Sequence, residues 1–352
     1  MHIPHHRFGQ TTIAKVRNSQ ELRQVLVDPW LKSDTIIIKP NWATFEPAYF
    51  TDSETLRMLF EALDSRIIIT ESHIFTRSQN FPVKGMNFNV GEMEFSSESF
   101  LFGEGWKWLI KNLDWDWFKK GGYWDWIKKE EKDFLDDFGF TDLFKEFNVD
   151  YVNVTDEVWS GRFADPTEVK KAVESHFSPV QAEKLYSIVP KKLYELRGST
   201  FISFASLLHH ASFTLKNMFG MIPDPIRAWW HGPKSSRTAS SILDINKVYD
   251  SLFNVYGICE ALKTTAFHHP EGEYRSKFLG HLYNIVKDIG VVAFGRHLAS
   301  LDAILLNLTE GSIIVSDEVN RKPIELAQEE FGAIDEEILK ESMRKVGDWF
   351  SR

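Results

Sequence analysis

The stretch Thr35–Thr70, TIIIKPNWATFEPAYFTDSETLRMLFEALDSRIIIT, decides the fold. Its two ends, Thr35-Ile-Ile-Ile-Lys39 and Arg66-Ile-Ile-Ile-Thr70, are β-branched runs with no polar alternation. A strand wetted on one face alternates, whereas one that is apolar throughout is covered on both faces, as in a parallel sheet between helices. Between the runs, Leu56, Leu59, Phe60 and Leu63 recur at helical spacing, and Thr51-Asp-Ser-Glu54 has the form of a capping box. The stretch therefore reads as one βαβ unit. Working outward, apolar runs predict strands at Tyr151–Val154, Thr200–Ala205, Leu252–Ile258, Ile289–Phe294 and Ser312–Val315, with helical patterns at Ala182–Arg197 and Leu301–Leu308. The alternation predicts an α/β fold with a Rossmann-like, mostly parallel sheet flanked by helices. Residues 1–352 are expected to form a single α/β domain.

Residues 86–147 break this rhythm and read as a tryptophan-rich helical insertion, since crossovers in such folds are usually much shorter. Half of the 12 tryptophans fall there: Trp106, Trp108, Trp115, Trp117, Trp124 and Trp126. Trp106, Leu109, Ile110, Leu113 and Trp117 give one strongly apolar helix face, punctuated by Gly121-Gly122. Three roles fit: packing on the core, a lid over a hydrophobic or aromatic substrate, or a contact with a second copy in a homodimer or with a membrane surface. Interleaved Lys and Asp weaken the membrane option.

Composition narrows the function. The net charge of −9 and the lack of a basic stripe disfavour a nucleic-acid partner held through phosphate neutralisation. Cys259 is the single cysteine, so neither an intramolecular disulfide nor an iron–sulfur cluster held by four thiolates of this chain can form. A reducing cytoplasm is the expected compartment. The N-terminal residues carry no signal-peptide pattern, and no apolar run of about 20 residues exists to span a bilayer. No GxGxxG follows the first strand and no GxxxxGK[ST] or GxSxG occurs, which disfavours dinucleotide binding, ATP hydrolysis and serine nucleophiles of familiar form.

The candidate site is assembled from strand ends. Lys39 ends the first apolar run and Pro40 stops its ladder, placing Lys39, Asn41 and Trp42 at the carboxyl edge, where open α/β sheets bind ligands. Glu71 and His73 follow the second run in the same way. After the run at Thr200 comes a dense polar stretch: His209, His210, Thr214, Lys216, Asn217, Gly220, Arg227 and His231. Thr214–Phe219 reads as a short helix capped by Ser212 or Thr214 and closed by Gly220, with Lys216 and Asn217 in its opening turn and its N–H groups offered to a carboxylate or phosphate. Arg227 adds a forked donor to that anion site. Lys39, Asn41, Thr214, Lys216, Asn217 and Arg227 are thus the candidate substrate-binding residues. Glu71, His73, His210 and His231 are the candidate proton-transfer residues, because imidazole titrates near neutrality and a carboxylate orients it. The same histidines are the candidates for holding a metal, although no HExxH or other tight ligand spacing is present.

At Lys39-Pro-Asn-Trp42, Thr70-Glu-Ser-His73 and Thr214-Leu-Lys-Asn-Met-Phe-Gly220 the chain resembles the domain-of-unknown-function 362 family. Agreement continues through Arg227, His231, Ile242-Leu-Asp244, Tyr256-Gly257 and Leu298-Ala-Ser-Leu-Asp302. The resemblance implies the α/β fold and a functional role for the matching polar residues, and it names no single reaction. Three departures stand out against the family pattern: Leu207-Leu208 where a Lys precedes the His, Tyr256 where an Asp precedes the Gly, and Asn307 where a second Asp follows Asp302. The cysteine-rich ferredoxin-like module of many relatives is also missing. From all this the expected function is an enzyme acting on an anionic small molecule, carboxylate or phosphate, by proton transfer in an isomerase, racemase, lyase or hydrolase step. The alternatives are a non-catalytic small-molecule or metal-binding protein, favoured by the two missing carboxylates, and a redox partner of a separate iron–sulfur protein.

Overall fold

The computed structural model describes residues 3–74, 77, 87–90, 93–96, 123–208, 213–223, 227–231, 236–276, 282–310 and 318–350. Thirteen strands lie in these residues: β1 (His5–Phe8), β2 (Thr11–Lys15), β3 (Thr35–Lys39), β4 (Arg66–Glu71), β5 (Asn87–Val90), β6 (Met93–Ser96), β7 (Asp150–Asn153), β8 (Thr200–Ser206), β9 (Asn254–Ala261), β10 (Thr264–His268), β11 (Tyr274–Arg275), β12 (Leu282–Lys287) and β13 (Val291–Gly295). Eight of them form the main sheet, in the order β1-β2-β13-β9-β8-β3-β4-β7. The five from β9 to β7 run parallel, in register Ile36 to Ile67 and Ile36 to Thr200. β13, β2 and β1 extend the β9 edge in antiparallel fashion. The sheet is therefore α/β and mostly parallel, as the apolar runs predict. The β1–β2 hairpin carries no such run and is an addition that pattern reading did not supply.

Period two sorts the strand residues onto two faces. Ile37, Ile68, Val152, Phe201, Ala205, Val255, Cys259 and Ala293 pack with the helices Val154–Trp159, Pro166–Glu174, Thr238–Asp250 and Leu298–Thr309. Ile36, Ile38, Ile67, Ile69, Ile202, Phe204, Tyr256 and Ile258 pack with the helices Ser19–Val25, Ser53–Ala62 and Phe140–Phe147. Ile36, Ile37 and Ile38 are fully buried, each worth about 1.5–3 kcal/mol relative to exposure.

The chain order of the parallel strands matters for function. From β3 the chain crosses over one face to β4 and β7, then returns to the other side of β3 to lay down β8 and β9 over the opposite face. Right-handed crossovers in opposite directions must use opposite faces. The gap between the carboxyl ends of β3 and β8 is consequently a topological switch point, the place where doubly wound sheets open a crevice.

Two local readings are corrected. Ala182–Arg197 is not a helix but a 3-10 turn, Glu183–Ser187, followed by the single turn Lys191–Tyr194. Pro190 is responsible: it lacks an N–H, disfavours helical backbone at Val189, and bridges instead to Phe163. The strand read from Leu252 starts at Asn254, because the N–H groups of Leu252 and Phe253 still bond back to Tyr249. The strand expected at Ser312–Val315, most of the insertion before Tyr123, and His209, His210 and Ser212 lie outside the described residues. From Tyr123 on, the insertion is two helices, Tyr123–Asp137 and Phe140–Phe147, which pack Phe134, Phe140 and Phe144 against Trp42. Among the described residues, no helix is long and apolar enough to cross a membrane.

Candidate functional site

Lys39 stands at the switch point, at the last position of β3, and is buried. Its ammonium donates to Glu71 Oε2 at 2.6 Å, to Asn217 Oδ1 at 2.9 Å and to its neighbour Pro40 O at 2.8 Å. Three acceptors match the three protons of an ammonium, so in this geometry Lys39 binds the protein's own oxygens and not an incoming anion. Burial pushes its pKa down to about 8, against the pull of Glu71. Asn217 completes the tie between β3 and β8: Nδ2 donates to Lys39 O at 3.0 Å and to Ser203 Oγ at 3.1 Å. Ser203 Oγ in turn donates to Thr214 O at 2.8 Å. Only an amide supplies both the acceptor and the donors this position uses; Asp lacks the donors.

Glu71, the last residue of β4, is equally buried, and its second oxygen accepts the Ser72 N–H at 3.0 Å. Ser72 Oγ lies 2.5 Å from Gly220 O and 3.2 Å from Ile222 O. The buried Arg227 donates through Nη2 to Ser72 Oγ and to Gly220 O at 3.1 Å, and through Nε to Ile222 O at 2.9 Å. These bonds make Arg227 a clasp on the loop through Gly220 more than a fork aimed at a ligand. Gly220 itself presses on the ion pair, for a Cβ there would sit 2.4 Å from Lys39 Nζ and 2.6 Å from Glu71 Oε1. The glycine at the end of the Thr214–Gly220 motif thus has a steric reason: the chain passes directly over Lys39.

The helix Phe213–Asn217 opens differently from the sequence reading. Its N-terminal N–H groups are not offered to a ligand, because Asp302, on the helix Leu298–Thr309, accepts from Thr214 N and Leu215 N at 3.0 Å each and from Thr214 Oγ1 at 2.6 Å. The cap comes from a residue remote in sequence, and Thr214 is part of it. Lys216 is half-buried on this helix, and together with burial its charge holds His231 down at about 4; burial is the larger cause. The His231 ring packs edge-on against Phe219 with centroids 4.6 Å apart, its Nδ1 3.2 Å from Arg227 O. Asn41 faces away from this group: its N–H meets Thr51 Oγ1 and its Nδ2 meets Tyr49 O, so it holds the loop after β3.

His73 is buried beside Glu71 and opens a second cluster. Its N–H bonds Thr155 Oγ1 at 3.0 Å, and its Nδ1 lies 2.9 Å from Glu131 Oε2. Glu131 also accepts from Arg77 Nη2 and from the Tyr151 hydroxyl. Burial works to raise the Glu131 carboxyl, and Arg77, His73 and Tyr151 together override it and hold it at about 2. The Arg77 guanidinium is itself seated over Phe134 and Trp42, 4.6 and 5.8 Å from the ring centroids, and Nη1 donates to Trp42 O. Such a buried charge cluster stands only because each charge is both paired and hydrogen-bonded.

The structure brings together Lys39, Glu71, Asn217, Thr214, Arg227, His73 and, at its rim, Lys216 and His231; it places Asn41 apart, and His210 lies outside the described residues. Sequence reasoning missed Ser203, Glu131, Arg77 and Tyr151. Ser72 and Asp302 were noticed only as parts of motifs. Glu131 and Arg77 sit in or next to the insertion, where no strand end marks them. Among the described residues, no three His, Cys, Asp or Glu side chains converge as a metal would require. Of the three departures read in the sequence, Tyr256 and Asn307 fall away from this group. Tyr256 is buried on the opposite face, near Asp28 and Arg296, and Asn307 donates to Leu339 O at 3.1 Å, a bond that Asp cannot make.

The family described as a domain of unknown function (DUF362) matches residues 123–307, just over half of the chain. That match contains Lys216, Asn217, Arg227, His231 and Asp302, whereas Lys39, Glu71 and His73 precede it. No curated protein and no solved structure matches the chain. On this match over more than half of its length, the chain belongs to the domain-of-unknown-function 362 family.

Proposed function

We propose that the chain is an enzyme that binds an anionic small molecule, a carboxylate or phosphate, at the crevice between β3 and β8 and moves a proton on it. The observation that carries this reading is the Lys39–Glu71–Asn217 hydrogen-bonded triad at the topological switch point. Buried ion pairs are weak devices for stability, and perturbed titratable groups gathered in a cleft region mark functional sites more often than chance. In this reading Lys39 and Arg227 are internal: they fix Glu71, Ser72 and the Gly220 loop. Lys216 is the cation that meets the substrate anion, with Thr214 and Asn217 setting the helix that carries it. His73 and His231 exchange the proton, Glu71 supplying charge beside His73. The step is of isomerase, racemase, lyase or hydrolase type.

The test is solvent hydrogen exchange, which needs no knowledge of the product. The full chain is incubated in D2O with pyruvate, lactate, malate and glycerol 3-phosphate, and deuterium entering carbon is followed by NMR. Exchange is expected in at least one, falling about 100-fold or more in His73→Gln, the usual worth of a general base. Lys216→Met should weaken binding of that compound by about 10-fold or more, the loss of one charge-assisted hydrogen bond, at nearly unchanged melting temperature. No exchange together with no thermal shift by inorganic phosphate or any carboxylate would remove the reading. A thermal shift without exchange would favour the non-catalytic binder, to which the saturated donors of Lys39 also speak.

A further inference from the structure

The helix Phe213–Asn217 has five residues, enough for about one i to i−4 bond and far short of the length that stands by itself. Its place is therefore set by what holds it, and its last residue, Asn217, supplies one of the three acceptors of Lys39. We propose that Asp302 is a positioning residue for Lys39: by holding the first turn of this short helix from the helix Leu298–Thr309, it keeps Asn217 Oδ1 on the ammonium. This rests on the reading above that the Lys39–Glu71–Asn217 triad is the centre of the site, and it extends that centre to a helix laid down after β13.

Asp302 Oδ1 accepts from Thr214 N and Thr214 Oγ1, and Oδ2 accepts from Leu215 N, so three bonds fix the shift and the rotation of the first turn together. Behind that turn, Asn246 Nδ2 donates to Leu215 O at 3.0 Å and to Ile242 O, on its own helix Thr238–Asp250, at 2.7 Å, and Ser203 Oγ donates to Thr214 O. The floor is equally close. A Cβ at Gly257 of β9 would sit 2.7 Å from Leu301 Cδ2 and 3.3 Å from Thr214 Cγ2, so both helices rest directly on the strand. Asp302 and Thr214 are fully buried. For stability alone, a neutral Ser or Asn caps a helix without the cost of burying a charge. What a carboxylate adds is two oxygens that accept and no group that donates, which an amide cannot match against three donors. Burial pushes the carboxyl up to about 7 against those bonds, so above neutral pH the cap is ionised.

The experiment reads Lys39 by NMR in the full chain labelled with 13Cε-lysine, its signal assigned by its loss in Lys39→Met. In the wild type the Lys39 Cε signal should titrate at about 8. Glu71, Arg227 and Arg77 also act on the ammonium, and every variant keeps them. Asp302→Asn, which sets an amide donor against the helix N–H groups, should lower the Lys39 proton-binding constant about 10-fold or more, the worth of one charge-assisted hydrogen bond. Thr214→Val keeps the Asp302 charge and removes only the hydroxyl bond; it should lower the constant about 3-fold or more, and it carries the test if Asp302→Asn does not fold. Leu22→Ala, which opens a cavity under the helix Ser19–Val25 on the other face of the sheet, is the control for general loosening and should leave the constant unchanged. A constant unchanged in Thr214→Val, or lowered as far in Leu22→Ala as in Asp302→Asn, overturns the proposal. For function, carbon exchange should fall about 10-fold or more in Asp302→Asn, as misplacement of a catalytic group costs. Exchange absent from the wild type, with the Lys39 constant lowered as expected, removes the reaction and leaves Asp302 as the residue that seats Asn217. Exchange present, with the constant unmoved in Thr214→Val, removes the positioning and leaves the reaction.

Discussion

Replacing Gly220 by Ala adds one methyl group at the most constrained point of the molecule. That carbon would lie 2.4 Å from Lys39 Nζ, 2.5 Å from Lys39 Cε and 2.6 Å from Glu71 Oε1, all inside van der Waals contact. A lysine tip on a surface would swing away at little cost. This one is held by three acceptors and is buried, and the backbone cannot retreat either, since Gly220 O is gripped by Ser72 N, Ser72 Oγ and Arg227 Nη2. The variant must therefore break the ion pair or the clasp, and parting a buried pair costs about 3–5 kcal/mol. With unfolding entropy of about 2.1 cal/mol/K per residue over 352 residues, that loss lowers Tm by about 4–7 °C if the chain unfolds as one unit. The assay is urea unfolding followed by circular dichroism, with calorimetry for Tm. Gly198→Ala is the control, because Gly198 has φ +85° with nothing within 4 Å of its added carbon, so only the left-handed backbone penalty of about 1–2 kcal/mol applies. A Gly220→Ala variant no less stable than Gly198→Ala would refute the claim that Lys39 is locked under this loop.

Two further outcomes follow from the same geometry. Lys39→Met strands Glu71 and should cost about 3–5 kcal/mol, whereas Lys39→Met with Glu71→Met should recover most of it, because an apolar pair of similar volume removes both desolvation penalties; urea unfolding of the full double-mutant cycle measures the coupling, and additive losses would show the two do not depend on one another. Glu260, buried at the end of β9, is pushed up from 4.5 to about 7 by burial first and by nearby Asp52 second, against its bonds from Leu262 N and Ser206. Between about pH 4.5 and 7 the folded chain therefore holds a proton that the unfolded chain has released, so this contribution is complete at low pH and is lost as pH rises to 7. Unfolding free energies at pH 5 and pH 7.5 should fall by about 2–3 kcal/mol more in the wild type than in Glu260→Gln. Parallel pH profiles for the two proteins would contradict the assignment.

Much of the fold was legible because it is written in local periodicity. The triple isoleucines at Ile36–Ile38 and Ile67–Ile69 announce strands covered on both faces, and they pair as parallel neighbours. The helix between them begins one residue later than the Thr51–Glu54 capping box implies: Asp52 is the N-cap and accepts from Thr55 N, while Thr51 Oγ1 accepts from Asn41 N. The failures have equally local causes: Pro190 interrupts an apolar pattern that counts well as a helix, and the β1–β2 hairpin holds too few apolar residues to register. The site was legible in part, since Lys39 and Glu71 end strands and Asn217 follows one. Which acceptors they use was not, because Ser203, Glu131 and Asp302 reach the site from elements far away in the chain.

The sequence by itself determined six of the eight strands of the main sheet, their double burial and the carboxyl-edge placement of Lys39 and Glu71, because each depends on residue order over a few turns or a single strand. Only the tertiary structure decided that β8 lies beside β3 and so makes a switch point there. It alone decided that the three donors of Lys39, and Nε and Nη2 of Arg227, bond inside the protein, and that the helix Phe213–Asn217 is capped by Asp302. Hydrogen bonds saturate, and whether a buried cation meets a ligand or its own chain depends on which oxygens the fold carries to within 3 Å. That distance belongs to the packing of whole elements and to no stretch of sequence.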